Sequence, residues 1–270
     1  MKYILTNFNE IEDTLFVPML GRIYATEKFP HILSDLYAAE LKNKLPKEVL
    51  EQNKQTQYTL MAGAVRSTNM DRYIKDFLNK NENGIIVELG AGLETSFYRN
   101  DNGKAIWYEV DLPNVIEYRK EILKQNERDC YIISDAFSEE WIKIIREKHP
   151  TEPILVTASG FFYYFKEDDV VKLFKMLKNY GNIEVVFDVV NSAGMKQMGK
   201  YMKQVGHEEL PVYFCVDDAK EIAKKVGATL LCEEPYYAHI NKNGFSLVTK
   251  VTMIVSDKCK MVKMIHLKLN

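Results

Sequence analysis

Few properties of this chain are extreme, and each shortage removes a class of function. Lysine and arginine (36) nearly balance aspartate and glutamate (38), leaving a formal charge of −2. There is no bulk electrostatic reason to expect nucleic acid or an anionic membrane as partner. The four cysteines, Cys130, Cys215, Cys232 and Cys259, lie far apart and form no CxxC pair. Neither a zinc site nor a disulfide framework is suggested, and reduced cytosolic thiols are expected. The five histidines stand alone, so no metal site is expected. No stretch approaches the length of a membrane span. The N-terminus, "MKYILTNFNEIEDTLFVPM", carries acids early and lacks the sustained apolar segment of a signal peptide. A soluble cytoplasmic protein is the expectation. Internal repeats, low-complexity tracts and Pro/Gly/Ser-rich linkers are also missing, which favours one structural domain over two.

What is present is rhythm. Residues 1–84 read mainly as a helical cap: "SDLYAAELKNKL" opens on a cap at Ser34 and stops at Pro46, and "TQYTLMAGAVRSTNMDRYIKDFLNK" continues to a break at Asn83-Gly84. From residue 85 to 270 the pattern changes. The apolar runs "GIIVELG", "AIWYEVD", "CYIISDA", "PILVTASG" and "IEVVFDVV" alternate with amphipathic segments such as "LPNVIEYRKEILKQNE" and "KEDDVVKLFKMLKNY". Such alternation indicates βαβ units and a parallel sheet covered on both faces. The stretch "FSLVTKVTMIVSDKCKMVKMIHLKL" reads as two strands joined near Asp257-Lys258, giving the sheet an antiparallel end.

The first strand runs into Gly90-Ala91-Gly92-Leu93-Glu94-Thr95. The third glycine of the dinucleotide pattern G-x-G-x-x-G is absent, which disfavours a nicotinamide-dependent oxidoreductase. Glu88, just before the turn, can orient it or accept from an ammonium; a pyrophosphate would be repelled there. Asp111 falls just past the second strand, where a carboxylate can accept from both ribose hydroxyls. Asp135, beside Ala136, ends the third and can accept from an adenine amine. Each acid alone reads more simply as a helix cap. Together they stand at three successive strand ends, where open α/β sheets bind ligands. That points to an adenosine.

In order along the chain, "DTLFVPMLGRIYATEKFPHILSDLYAAEL", "VRSTNMDRYIKDFL", "VELGAGLETSFYR", "WYEVDLPNVIEYRKE" and the pair "SGFFYYF" and "VVFDVVNS" resemble the leucine carboxyl methyltransferase superfamily, especially its bacterial branch around tetracenomycin polyketide O-methyltransferases. The resemblance implies the class I methyltransferase fold: a Rossmann-like α/β sheet of seven strands with the last antiparallel. It also implies S-adenosylmethionine as cofactor, without metal. Arg66 would bind the methionine carboxylate; Glu88, Gly90 and Gly92 would form the turn against the amino-acid portion. Asp111 would hold the ribose, and Asp135 with Ala136 the adenine. Ser159 would take the ammonium-binding place, a hydroxyl standing where the family usually has an acid. Tyr164 matches a family tyrosine that faces the methyl-transfer centre.

Three further readings complete the expectation. Arg22 fits the N-terminal arginine of the bacterial branch; it can meet an anionic acceptor or pair with Glu27 on the surface, and the ion pair is favoured. The aromatics at 161–165 can line an acceptor pocket or pack in the core. His239, in "PYYAHI", is a candidate base. The function expected is O-methylation of a small-molecule acceptor bearing a carboxylate or acidic hydroxyl, between the N-terminal helices and the segment after residue 190. A protein C-terminal carboxyl methyltransferase and a noncatalytic cofactor-binding relative are the alternatives within the fold.

Overall fold

The computed structural model describes residues 15–46, 49–50, 55–204 and 212–269, with backbone alone at 200–204. Residues 1–14, and with them the N-terminal leader reading, lie outside the described residues, as do 205–211 in the segment after residue 190. Among the described residues, helices α1 (Phe16–Lys28), α2 (Leu36–Leu41) and α3 (Gln57–Lys80) precede the sheet. The cap of α2 is Asp35 rather than Ser34; its carboxylate accepts from the Ala38 amide at 2.9 Å. Thr56 caps α3 by accepting from the Thr59 amide. Alternation follows: β1 (Ile85–Leu89), α4 (Ser96–Asn100), β2 (Ile106–Asp111), α5 (Pro113–Ile122), β3 (Asp129–Ile133), α6 (Glu140–Lys148), β4 (Ile154–Ala158), α7 (Glu167–Lys178) and β5 (Ile183–Val190). The chain closes with α8 (Ser192–Gln204), α9 (Ala219–Val226), β6 (Thr229–Pro235), α10 (Leu247–Lys258) and β7 (Val262–Leu269).

The seven strands form one sheet in the order β3-β2-β1-β4-β5-β7-β6. Strands β1 to β5 pair in parallel, and β7 runs antiparallel to both β5 and β6. Every residue of the central strands β1 and β4 is buried, as expected for strands covered on both faces. On one face α6, α7 and α9 pack against the sheet around Trp141, Phe174 and Ile222; on the other, α3 and α10 lay Ile74, Phe77 and Met253 against Ile86, Leu155 and Val186. One apolar cluster thus joins the N-terminal helices to the strands. Among the described residues no helix is long and apolar enough to cross a membrane.

The antiparallel end is where the expected elements and the structure part. Residues 247–258, read as a strand, form helix α10, and the partner of β7 is β6, earlier in the chain. The Val, Thr and Ile content of "LVTKVTMIVS" suits a strand. Its buried positions, Thr249, Met253 and Ser256, follow helical spacing, and Ser246 caps the first turn by accepting from the Thr249 amide. Tertiary packing overrides β propensity here.

Candidate active site

The carboxyl ends of β1 to β4 open onto a cavity of about 400 Å³, roofed by the start of α1 and by the segment after β4. Its floor is the turn after β1. Gly90 and Gly92 hold φ angles of +64° and +50°, a region that side chains make costly, and a Cβ on Gly90 would overlap the Phe161 ring. The turn is fastened on both sides. From β2, the Asp111 carboxylate accepts from the Gly92 amide at 2.8 Å and from the Leu112 amide at 2.7 Å. From α5, the buried Arg119 donates to the Gly92 and Glu94 carbonyls at 3.1 and 2.8 Å.

Glu88 is buried under this turn, accepts from the Ser96 hydroxyl and shares a hydrogen bond with the buried carboxyl of Glu109 on the next strand. Burial, then the nearby charge of Glu94, pushes its carboxyl above the usual range. A carboxyl in the cavity wall suits a cationic or N–H-bearing ligand. Glu109 differs from its neighbour Asp111. It is fully buried 2.9 Å from Arg119, its carboxyl held well above the usual range by burial, and it takes no part in the cavity wall. Asp111 lines the cavity, as do Asp135 and Ala136 after β3. The Asp135 carboxylate also accepts from the Phe137 amide at 2.9 Å, so it shapes its own turn while remaining exposed.

Arg66 reaches the cavity from the middle of α3. Its Nε donates to Asp188 at 2.8 Å, and its terminal fork lies over Gly160, whose φ of +68° and missing side chain make the space. Burial disfavours the charge, but Asp188 together with Tyr236, Tyr163 and Tyr164 outweighs it and keeps the guanidinium protonated. Asp188, at the end of β5, also accepts from the Gly160 amide at 2.6 Å and the Tyr163 hydroxyl at 2.7 Å. One buried carboxylate therefore fixes the arginine and the Ser159-Gly160 turn together. The aromatics split by position: Phe161, Tyr164 and Phe165 line the cavity with Ser159, whereas Phe162 and Tyr163 point into the core. Leu15, Val17 and Pro18 from the N-terminal side, Met70 of α3 and Met198 of α8 supply the remaining apolar wall.

Two candidate catalytic residues are corrected. Arg22 does not pair with Glu27, which instead meets Lys42; its guanidinium is 1% exposed and donates to Asp35 at 3.1 Å, Glu94 at 3.2 Å and the Leu93 carbonyl at 2.6 Å. It touches the cavity but its donors are committed to binding α1 to α2 and to the glycine turn, which leaves little to steer an acceptor. Burial works to raise the Glu94 carboxyl, yet Arg22 and Arg99 hold it far below the usual range, so this network stays ionised. His239 lies away from the cavity, half-exposed, with Nε2 2.8 Å from Glu234. Its place near a strand end in the sequence corresponds to the end of β6, at the far edge of the sheet.

Arg119, Asp188 and Met198 were not singled out from the sequence. A signal existed for Asp188: a charge inside an apolar stretch, as in "VVFDVV", is buried with partners or not at all. Met198 carries none. Among the described residues, no group of three or more His, Cys, Asp or Glu could hold a metal ion.

The comparisons with known proteins bear on this architecture. The leucine carboxyl methyltransferase profile matches residues 16–178, more than half of the chain, from α1 to the end of α7. The tetracenomycin polyketide synthesis O-methyltransferase of Streptomyces glaucescens is 22% identical over 182 residues, 67% of this chain and 66% of that protein, just under two thirds of its length. In solved structures, a DUF574 family protein from Streptomyces avermitilis superposes with a TM-score of 0.61 at 14% identity, covering 92% of this chain and 96% of the other. A methyltransferase-like protein from Thermobifida fusca gives 0.58 at 13% identity, covering 92% and 94%. These two share the fold, a class I methyltransferase sheet with its last strand antiparallel. The chain belongs to the leucine carboxyl methyltransferase family.

Proposed function

We propose that this chain is an S-adenosylmethionine-dependent methyltransferase acting on an oxygen of a small-molecule acceptor that arrives already ionised, a carboxylate or an acidic hydroxyl. The cofactor assignment fits the wall that would hold it. Arg66 would take the methionine carboxylate, and the Glu88 carboxyl and the Ser159 hydroxyl would face the ammonium. Gly90 and Gly92 would let the backbone approach closely; Asp111 would accept from the ribose hydroxyls, with Asp135 and Ala136 at the adenine. When bound, S-adenosylmethionine supplies an electrophilic methyl on a sulfonium whose positive charge is lost on transfer.

The observation that carries the acceptor class is the composition of the cavity wall. Among the described residues, no histidine, lysine or cysteine lines it, and its four carboxylates each hold other groups of the protein. A neutral phenol, with a pKa near 10, would need a base; a carboxylic acid, with a pKa near 4, would not. The protein's part is then to orient the acceptor oxygen beside the cofactor, against Tyr164, and to exclude water with Val17, Pro18, Phe165 and Met198. The relative named as an O-methyltransferase of tetracenomycin polyketide synthesis agrees in kind with oxygen methylation of a small molecule. With an acceptor in hand, single-turnover methyl transfer is expected to be nearly flat from about pH 6 to 9, the range that separates these ionisations. A tenfold rise per pH unit would instead establish base-dependent chemistry on a weakly acidic hydroxyl.

A further inference from the structure

Helix α10 carries the largest run of exposed apolar side chains in the described chain. Leu247, Val248, Val251, Ile254 and Val255 are 76, 75, 50, 44 and 45% exposed, while Thr249, Met253 and Ser256 on the opposite side are buried. Single exposed apolar residues are ordinary, but a continuous face is not. At 100° per residue, these five lie within about 60° of the Val251 direction, forming one stripe.

The spacing has a symmetry. Relative to Val251 the apolar positions are −4, −3, 0, +3 and +4, the same read in either direction. Such a stripe is complementary to its own antiparallel copy: Leu247 and Val248 meet Ile254 and Val255 of the second copy, and Val251 meets Val251. The charges agree. In this register Lys250 falls opposite Thr252, and Lys258 runs past the helix end opposite Gly244, so no like charges face each other. A parallel pairing would set Lys250 against Lys250 and Lys258 against Lys258. The stripe amounts to roughly 500 Å² per copy, and about 1,000 Å² in a pair reaches the lower bound for a specific interface.

We propose that the exposed face of α10 docks on the same face of a second copy of this chain, antiparallel, about a two-fold axis at Val251. The interface is isologous, as closed two-fold dimers require. It forms through an element that lines no part of the cavity, so each copy keeps its own active site. A lipid surface would be the other occupant for an apolar helix, but α10 has only two lysines and one aspartate, little basic charge for an anionic membrane.

Light scattering on the full chain, coupled to size-exclusion chromatography at micromolar concentration, tests this. The wild type is expected to be a dimer. Val251→Glu puts two carboxylates at the axis and should weaken association at least about a hundredfold. Because Val251 already faces solvent, that variant should retain its circular dichroism spectrum and its affinity for S-adenosylhomocysteine. In a Cys259→Ser background, Val251→Cys should cross-link into a covalent dimer on oxidation. Lys258→Cys should not, since the two sulfurs would stand about 20 Å apart at 1.5 Å per residue from the axis. A monomeric wild type would overturn the proposal, as would a dimer indifferent to Val251→Glu or cross-linking at 258 but not 251. Val251-dependent recruitment of monomer to phosphatidylcholine–phosphatidylserine vesicles would overturn it in favour of a membrane.

Discussion

One wall of the cavity sets Glu88, Asp111 and Asp135 in a row at the ends of β1, β2 and β3, with Arg66 held beside them by Asp188. The other wall offers Val17, Pro18, Phe165 and Met198, none of which ionises. The polar wall hangs on the sheet itself, and its groups are fixed by hydrogen bonds to backbone amides and buried partners. The apolar wall comes from helices and from the segment after β4, tied on by Arg22 of α1 and by the Asp188 contacts to the Gly160 amide and the Tyr163 hydroxyl. The comparison teaches a division of labour: the wall built by the fold would bind the shared cofactor, and the wall built from the flanking segments would choose the acceptor.

The largest expected effect comes from removing the post that ties the two parts together. Asp188→Ala strands the Arg66 guanidinium, the Gly160 amide and the Tyr163 hydroxyl at once. Breaking a buried ion pair by deleting one partner costs about 3–5 kcal/mol, so urea denaturation should show a loss of that order. Unchanged stability would mean that Arg66 and the Ser159-Gly160 turn stand without it.

A subtler test uses the proton on Glu88. Burial and Glu94 raise its carboxyl above the ordinary 4.5, so between that value and its raised one the folded chain binds more protons than the unfolded. Stability of the free protein from this group therefore falls as pH rises through that window. A ligand ammonium beside this carboxyl would favour the ionised form. S-adenosylhomocysteine should then release up to one proton on binding and bind more tightly as pH rises through the same window. Calorimetry in buffers of different ionisation enthalpy measures the release, and Glu88→Gln should abolish it. Proton-neutral binding would leave Glu88 as support for the turn only.

The smallest effects separate the apolar wall from residues outside the cavity. Met198→Ala should raise the acceptor KM about fivefold or more, since a buried methylene or two is worth about 1–3 kcal/mol in discrimination, while changing S-adenosylhomocysteine affinity by no more than about twofold. His239→Ala should alter neither quantity. A kcat lost with His239 would return the histidine to the list of bases.

Much of the polar wall was legible because its signals are local. Each acid sits within a residue or two of the end of an apolar run, and the glycines that need positive φ stand between Glu88 and the next helix. The five parallel strands and the antiparallel β7 follow from the same periodicity. What failed depends on distance along the chain. Arg22 finds Asp35 and Glu94, 13 and 72 residues away, rather than the nearer Glu27, because α1 packs on α2 and on the glycine turn. The α10 segment has strand-forming residues but helical burial, and only the packing of Met253 against the core reveals which wins. No local pattern marks Met198, since an apolar residue on an amphipathic helix reads the same whether it faces a core or a substrate.

The most direct test of the polar wall is a calorimetric titration of S-adenosylhomocysteine into the wild type and Asp111→Ala, with NAD as the control ligand. Hydrogen bonds to a charged group contribute about 1.5–3 kcal/mol, so the account predicts a ten- to hundredfold weakening in the variant and no NAD binding to either protein. Equal affinity of the two proteins for S-adenosylhomocysteine, or binding of NAD in its place, would contradict it.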